Sequence, residues 1–348
     1  MNDARVIALP HVDFSSNNHI GDYLETIGAF IAQDDEPANY IFPELLPCNV
    51  LSLWHGDPRA RKSLSAFELA LAAATGTAPF GLARFKPAGP VPVIYVMEED
   101  PRSLTRPRLR ALVRARCGDE APADLHVAVR RGINLDDPVW VERLISDATH
   151  RHAKLMILDA ARRLSAQTDE GPAKVRELTG VLRSIYTRAD LSIVIVHHDV
   201  KPPQNGAQDT RRRSQRASGG DWFAASECPV HVERINDRET LIYPQDYKFT
   251  GDPAPFTFRC EVAGGLITQL VGTDTSTEHA EAAGASGKLL AWLRANPHSS
   301  KTAMKKAGFG WEAVETHLAA LMKAGKVDAG PGRKAGSNVY WVVEEPSS

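Results

Sequence analysis

The octet Gly56-Asp57-Pro58-Arg59-Ala60-Arg61-Lys62-Ser63 stands between an apolar run, Val50-Leu51-Ser52-Leu53-Trp54, and the helical pattern of residues 64–74. Strand, tight loop, Lys-Ser and helix in that order leave few folds open. The loop's backbone N–H groups and the helix N-terminus converge on one site for an anion. The spacing meets the P-loop pattern G-x-x-x-x-G-K-S at every position but one, since Arg61 stands where the second glycine is expected. That position bends most easily with positive φ, and a non-glycine residue there costs roughly 1–2 kcal/mol. In return, an arginine offers a planar cation beside Lys62 that matches phosphate oxygens. A solvated loop that only mimics the motif remains the alternative at this point.

If the octet is a P-loop, Gly56 through Leu64 cradle phosphates, Lys62 reaches the β/γ-phosphates and the Ser63 hydroxyl holds Mg²⁺, so ATP and Mg²⁺ are the expected cofactors. Three more apolar runs support that reading: Val93-Ile94-Tyr95-Val96-Met97, ending in Glu98-Glu99-Asp100; Leu155-Met156-Ile157-Leu158, closed by Asp159; and Leu191-Ser192-Ile193-Val194-Ile195-Val196, ending in His197-His198. Each alone is weak, because every buried parallel strand is apolar and must end in something polar. Four in order, with polar ends on one edge of a sheet, predict an α/β fold with its ligand along the carboxyl edge. A carboxylate in the place of Asp159 suits Mg²⁺, a hard cation that prefers oxygen ligands.

With these segments in place, the chain resembles the RepA-type branch of the RecA/DnaB ATPases, the core of hexameric replicative helicases. The resemblance rests on Phe42-Pro43-Glu44-Leu45-Leu46, the P-loop, Glu98-Glu99-Asp100-Pro101 with Arg106-Pro107-Arg108-Leu109, Leu158–Leu164 with Asp169-Glu170, and Val196–Lys201, covering about residues 40–265. It implies a RecA-like core of mostly parallel sheet with helices on both faces. It further implies Glu99 as the general base, with Glu98 the second candidate, and His198 or His197 as the sensor of the γ-phosphate. Phosphoryl transfer needs mainly positioning and charge neutralisation.

The stretch from Lys201 to Arg216 is polar, broken by Pro202-Pro203 and basic, and reads as a long loop. In the resembling family this place faces a ring's channel and single-stranded DNA, which makes Arg211, Arg212 and Arg213 phosphate contacts. Arg216 is a candidate finger toward a neighbouring subunit's nucleotide; a merely solvated loop is the alternative. Beyond it, segments 230–234, 239–243, 256–262 and 266–271 alternate as antiparallel strands that extend the sheet. Lys248 falls where related ATPases place cations acting in trans.

The small, polar stretch 272–287 reads as a linker. From 288 to 348, three short helical patterns and a glycine-bearing β-segment have the layout of a winged helix-turn-helix. Between Ser286 and Val343, nine lysines and arginines stand against three acidic residues, while the whole chain is only −2. Lys301, Lys305, Lys306, Arg333 and Lys334 are the candidate contacts to duplex DNA, with a protein-docking module as the alternative.

The expected organisation is an N-terminal segment (1–40), an ATPase domain (41–271), the linker and the basic domain. Cys48, Cys117, Cys228 and Cys260 are scattered without metal or disulfide spacing. No leader or membrane-length apolar run is visible, so a cytoplasmic protein is expected, and the resemblance implies a homo-oligomer, with a hexamer as its ring form. The six arginines between Arg102 and Arg116 read as a solvated or inter-subunit helix face. Three functions stay open: a DNA-dependent ATPase in replication of a plasmid, phage or mobile element; a nucleotide-binding DNA adaptor or regulator that hydrolyses weakly because of Arg61; or a loader whose winged helix docks another protein.

Overall fold

The computed structural model describes residues 26–28, 39–169, 171–199, 221–248, 251–275, 285–309, 314–315, 318, 321–322, 326–332 and 338–343. Contacts divide the chain into two units, 1–39 and 40–348, and the second holds the sheet. The chain enters it through a small hairpin, β1 (Tyr40–Phe42) and β2 (Leu46–Pro47). Then come β3 (Leu51–Gly56), helix α1 (Lys62–Thr75), β4 (Val93–Met97), α2 (Arg102–Cys117), β5 (Leu125–Val129) and α3 (Pro138–His150). They are followed by β6 (Leu155–Asp159), α4 (Ala161–Leu164), α5 (Pro172–Ala189), β7 (Ser192–His198) and the short α6 (Asp221–Ala225). Four further strands close the sheet: β8 (Val230–Arg234), β9 (Glu239–Pro244), β10 (Phe256–Ala263) and β11 (Leu266–Asp274).

These strands form one nine-stranded sheet in the order β11-β10-β9-β8-β3-β7-β6-β4-β5. The six from β8 to β5 run parallel, and β9, β10 and β11 add antiparallel to one side. This is the expected α/β, RecA-like P-loop architecture. The parallel strands are apolar throughout because helices cover both faces. Alternate residues feed two separate cores: Val93, Tyr95, Leu155 and Ile157 pack with α1 on one face, while Ile94, Val96, Met156 and Leu158 pack with α3 and α5 on the other. Register decides where function can sit. Gly56 pairs with His198, and Asp159 with Met97, so the carboxyl ends of β3, β7, β6 and β4 finish side by side.

Helix α1 is alanine- and leucine-rich and buried nearly all round, as a helix enclosed by sheet and loops must be. It stops at Gly76, whose φ of 65° lets its N–H bond back to Ala72 and Ala73. Helix α3 starts on Asp137, whose carboxylate accepts from the Val139 N–H, with Pro138 in the first turn. The β10–β11 hairpin curls so that β11 lies against α2 and against the turn at Pro79–Gly81. Among the described residues no helix is long and apolar enough to cross a membrane.

β11 runs to Asp274, and helix α7 (Ala285–Ala295) begins before residue 287, so both elements reach into the stretch 272–287 expected as a linker. α7 is followed by β12 (Ser299–Ser300), α8 (Lys301–Lys306), β13 (Val327–Pro331) and β14 (Asn338–Val342). The three strands pair in the order β12-β14-β13. They share a third core of Leu289, Leu293, Met304, Leu318, Val327 and Tyr340, with Trp292 edge-on to Phe309. The Ser300 hydroxyl accepts from the Ala303 N–H and starts α8.

Candidate active site

The carboxyl edge of the sheet carries a cavity of about 480 Å³ that brings together Arg59, Arg61, Lys62, Ser63, Glu99, Asp159 and His198. Lys62 is buried, and its Nζ donates to the carbonyls of Gly56 and Asp57, each at 2.8 Å, so the loop is wrapped around its own lysine. Burial lowers its pKa to about 8 against the opposing pull of Asp199, Asp159, Asp57 and Glu99. Gly56 is required sterically: a Cβ there would lie 2.1 Å from the Val232 carbonyl oxygen on β8.

Ser63 Oγ donates to one oxygen of Asp159 at 3.1 Å, and the Tyr95 hydroxyl lies 2.8 Å from the other and 3.1 Å from the Ser63 carbonyl. Asp159 is buried, which raises its pKa to about 6 even though both hydroxyls pull it down. A hydroxyl and a carboxylate oxygen side by side are the hard oxygen donors that Mg²⁺ prefers, so these residues fit the metal. Tyr95 is the site residue that sequence reading passed over. Its polar tip at the centre of the run Val93–Met97 was the available signal.

Glu99 and His198 face one another across the cavity, with Oε2 3.4 Å from Nε2. The histidine's hydrogen bond is the main cause holding Glu99 below its ordinary carboxylate pKa. Side-chain alternation sends the two glutamates, and the two histidines, to different surroundings. Glu98 points away and is buried, accepting from the backbone N–H groups of Arg131, Gly132 and Ile133; it shapes the turn after β5. His197 also points away, packs on Trp222 at 5.2 Å between ring centres, and is held neutral by burial, with a pKa lowered to about 3.

Arg61 adopts the expected left-handed conformation, φ 70° and ψ 25°. Its guanidinium, however, is not held beside Lys62. It donates to Thr240 Oγ1 at 2.9 Å and to the Asp237 carbonyl, so the arginine ties the phosphate loop to the β8–β9 hairpin. Lys248 is likewise engaged locally, donating to the Ala224 carbonyl. Of the arginines on α2, Arg116 pairs with the buried Glu68, while Arg102, Arg106, Arg108, Arg110 and Arg114 are exposed. In the basic region, Lys301 is paired with Glu315 at 2.8 Å, so it is not a bare contact; Lys305 and Lys306 are exposed. Glu170, Arg211, Arg212, Arg213, Arg216, Arg333 and Lys334 lie outside the described residues.

A buried lysine wrapped by its loop, a serine–aspartate pair of hard oxygens and a facing carboxylate, set on this sheet, are the make-up of a P-loop ATPase. Residues 22–204 match a family model described as AAA domain, a span of more than half the chain, and the protein belongs to that family. A search among curated proteins found no match.

Proposed function

We infer that this protein is a DNA-stimulated ATPase that works as a ring in the replication of a plasmid, phage or other mobile element. The observation that carries the reading is that Glu99 and His198 share one cavity with Lys62, Ser63 and Asp159. Lys62 would bind the β/γ-phosphates of ATP, and Ser63 and Asp159 would hold Mg²⁺, which when bound neutralises developing phosphate charge. Glu99, kept ionised by its neighbour, would orient and deprotonate the attacking water. His198, at the end of the strand in register with Gly56, would report γ-phosphate loss to the chain that follows β7. That chain contains Arg211–Arg213, proposed to track single-stranded DNA, and Arg216, proposed as the finger into a neighbouring subunit.

The order of α7, β12, α8, β13 and β14 around a core of their own supports a winged helix. Its excess of basic residues supports duplex DNA as the partner. A second reading, a nucleotide-switched DNA adaptor with little turnover, is favoured by one observation: the anchoring of Arg61 on the β8–β9 hairpin gives the phosphate loop a second fastening. Steady-state hydrolysis with Mg²⁺, with and without single-stranded DNA, separates them when the native protein is compared with Glu99→Gln. Stimulated turnover that the variant loses supports the motor. Tight binding without turnover in either protein supports the adaptor.

A further inference from the structure

One cluster of chemically capable side chains lies outside the lining of the cavity above. Sheet register aligns His231 of β8, His55 of β3 and His197 of β7 across three neighbouring strands. Asp199 follows β7 two residues after His197, on the same face. His55, Asp199 and His231 are all buried. His55 Nδ1 lies 2.8 Å from one oxygen of Asp199, and His231 Nε2 lies 3.5 Å from the other. The two imidazole rings are 5.0 Å apart between centres, and one ligand atom from each of the three residues lies within 4.8 Å of the other two. Phe223 of α6 stands edge-on to His55 at 6.2 Å.

We propose that His55, Asp199 and His231 form a binding site for one zinc-class divalent cation, a clasp across the ends of β3, β7 and β8. The donor set is two imidazoles and a carboxylate without thiolate, which suits zinc and its borderline neighbours. Ligands about 2.1 Å from a tetrahedral ion stand about 3.4 Å apart, and the separations of 2.8 and 3.5 Å bracket that spacing. A plain hydrogen-bonded relay explains less, because His55 Nε2 is a buried atom with no hydrogen-bond partner among the described residues. Imidazole rotation offers either nitrogen to an ion. Burial away from the nucleotide cavity makes the role structural: the Asp199 N–H donates to the Gly56 carbonyl at 3.0 Å, the same oxygen that accepts from Lys62. The ion would therefore steady the root of the phosphate loop.

Cation binding at this clasp is independent of hydrolysis and is read without it. The full chain is stripped with a chelator and titrated with Co²⁺, followed by displacement with Zn²⁺. One ion per chain is expected, with nitrogen–oxygen visible bands, no thiolate charge-transfer band, and a higher melting temperature. His231→Gln should lose more than the roughly 10–100-fold in affinity that removal of an outer partner causes. His150→Gln, on the exposed surface of α3, should bind as the native chain does. No stoichiometric binding, binding that survives His231→Gln, or a thiolate band from the cysteines would overturn the proposal. Should His231→Gln not fold, X-ray absorption of the zinc-loaded native chain decides. Two imidazoles in the shell support the clasp, and sulfur ligands or an all-oxygen shell refute it.

Discussion

Lys62 spends donors of its Nζ on the Gly56 and Asp57 carbonyls, and under the proposed function a phosphate would compete for them. Lys62→Ala removes charged hydrogen bonds worth about 1.5–3 kcal/mol each, so nucleotide affinity should fall roughly a hundredfold; a fluorescent-nucleotide titration measures it. Arg61→Gly should behave differently. Its guanidinium is anchored on Thr240 and Asp237, so the same titration should change by less than about 1 kcal/mol. A loss like that of Lys62→Ala would return the arginine to the phosphates. The pH dependence has two limbs. Asp159 must ionise to hold Mg²⁺, so affinity rises as pH climbs through about 6. Lys62 must keep its proton beside phosphate, so binding takes up a proton and weakens as pH passes about 8. Lys62, Ser63, Asp159 and Glu99 were legible in sequence because each occupies a motif position or a strand end. Tyr95 was hidden inside an apolar run. The destination of Arg61 was not legible, because Thr240 is 179 residues away and only the fold brings them together.

Among the elements, the end of β4 separates two adjacent glutamates into different jobs. Glu98→Ala would leave three backbone N–H groups of the turn after β5 without their carboxylate. With buried donors stranded, about 2–3 kcal/mol of stability should be lost in chemical denaturation. Glu99→Gln, on the cavity side, should leave stability unchanged while hydrolysis falls on the order of 10²–10⁴-fold. If the two variants exchanged phenotypes, the assignment would be reversed. β3, β4, β6 and β7 were readable as uniform apolar runs with polar ends, and β8 to β11 as alternating ones. β5 was not, because this edge strand is only partly buried and mixes His126 with small apolar residues. The curl that lays β11 on α2 was also illegible, since it is a contact between segments far apart in the chain.

At the scale of the whole molecule, the described residues form separate cores, two on the faces of the main sheet and one around α7, α8 and β12–β14. Removing residues 287–348 should therefore leave the nucleotide site folded. It should weaken duplex DNA binding more than single-strand binding in anisotropy titrations. Equal losses would argue against a duplex-reading module. The basic charge of this region was plain from composition, whereas the Lys301–Glu315 pair that neutralises part of it needed the fold. The tie between Arg61 and the β8–β9 hairpin has a consequence for how such chains diverge. Positions 61, 237 and 240 form one fastening, so drift at any of them is constrained by the other two. Among descendants of a common ancestor, a return to glycine at 61 should accompany a rebuilt hairpin, and lineages that keep the arginine should keep a hydroxyl at 240.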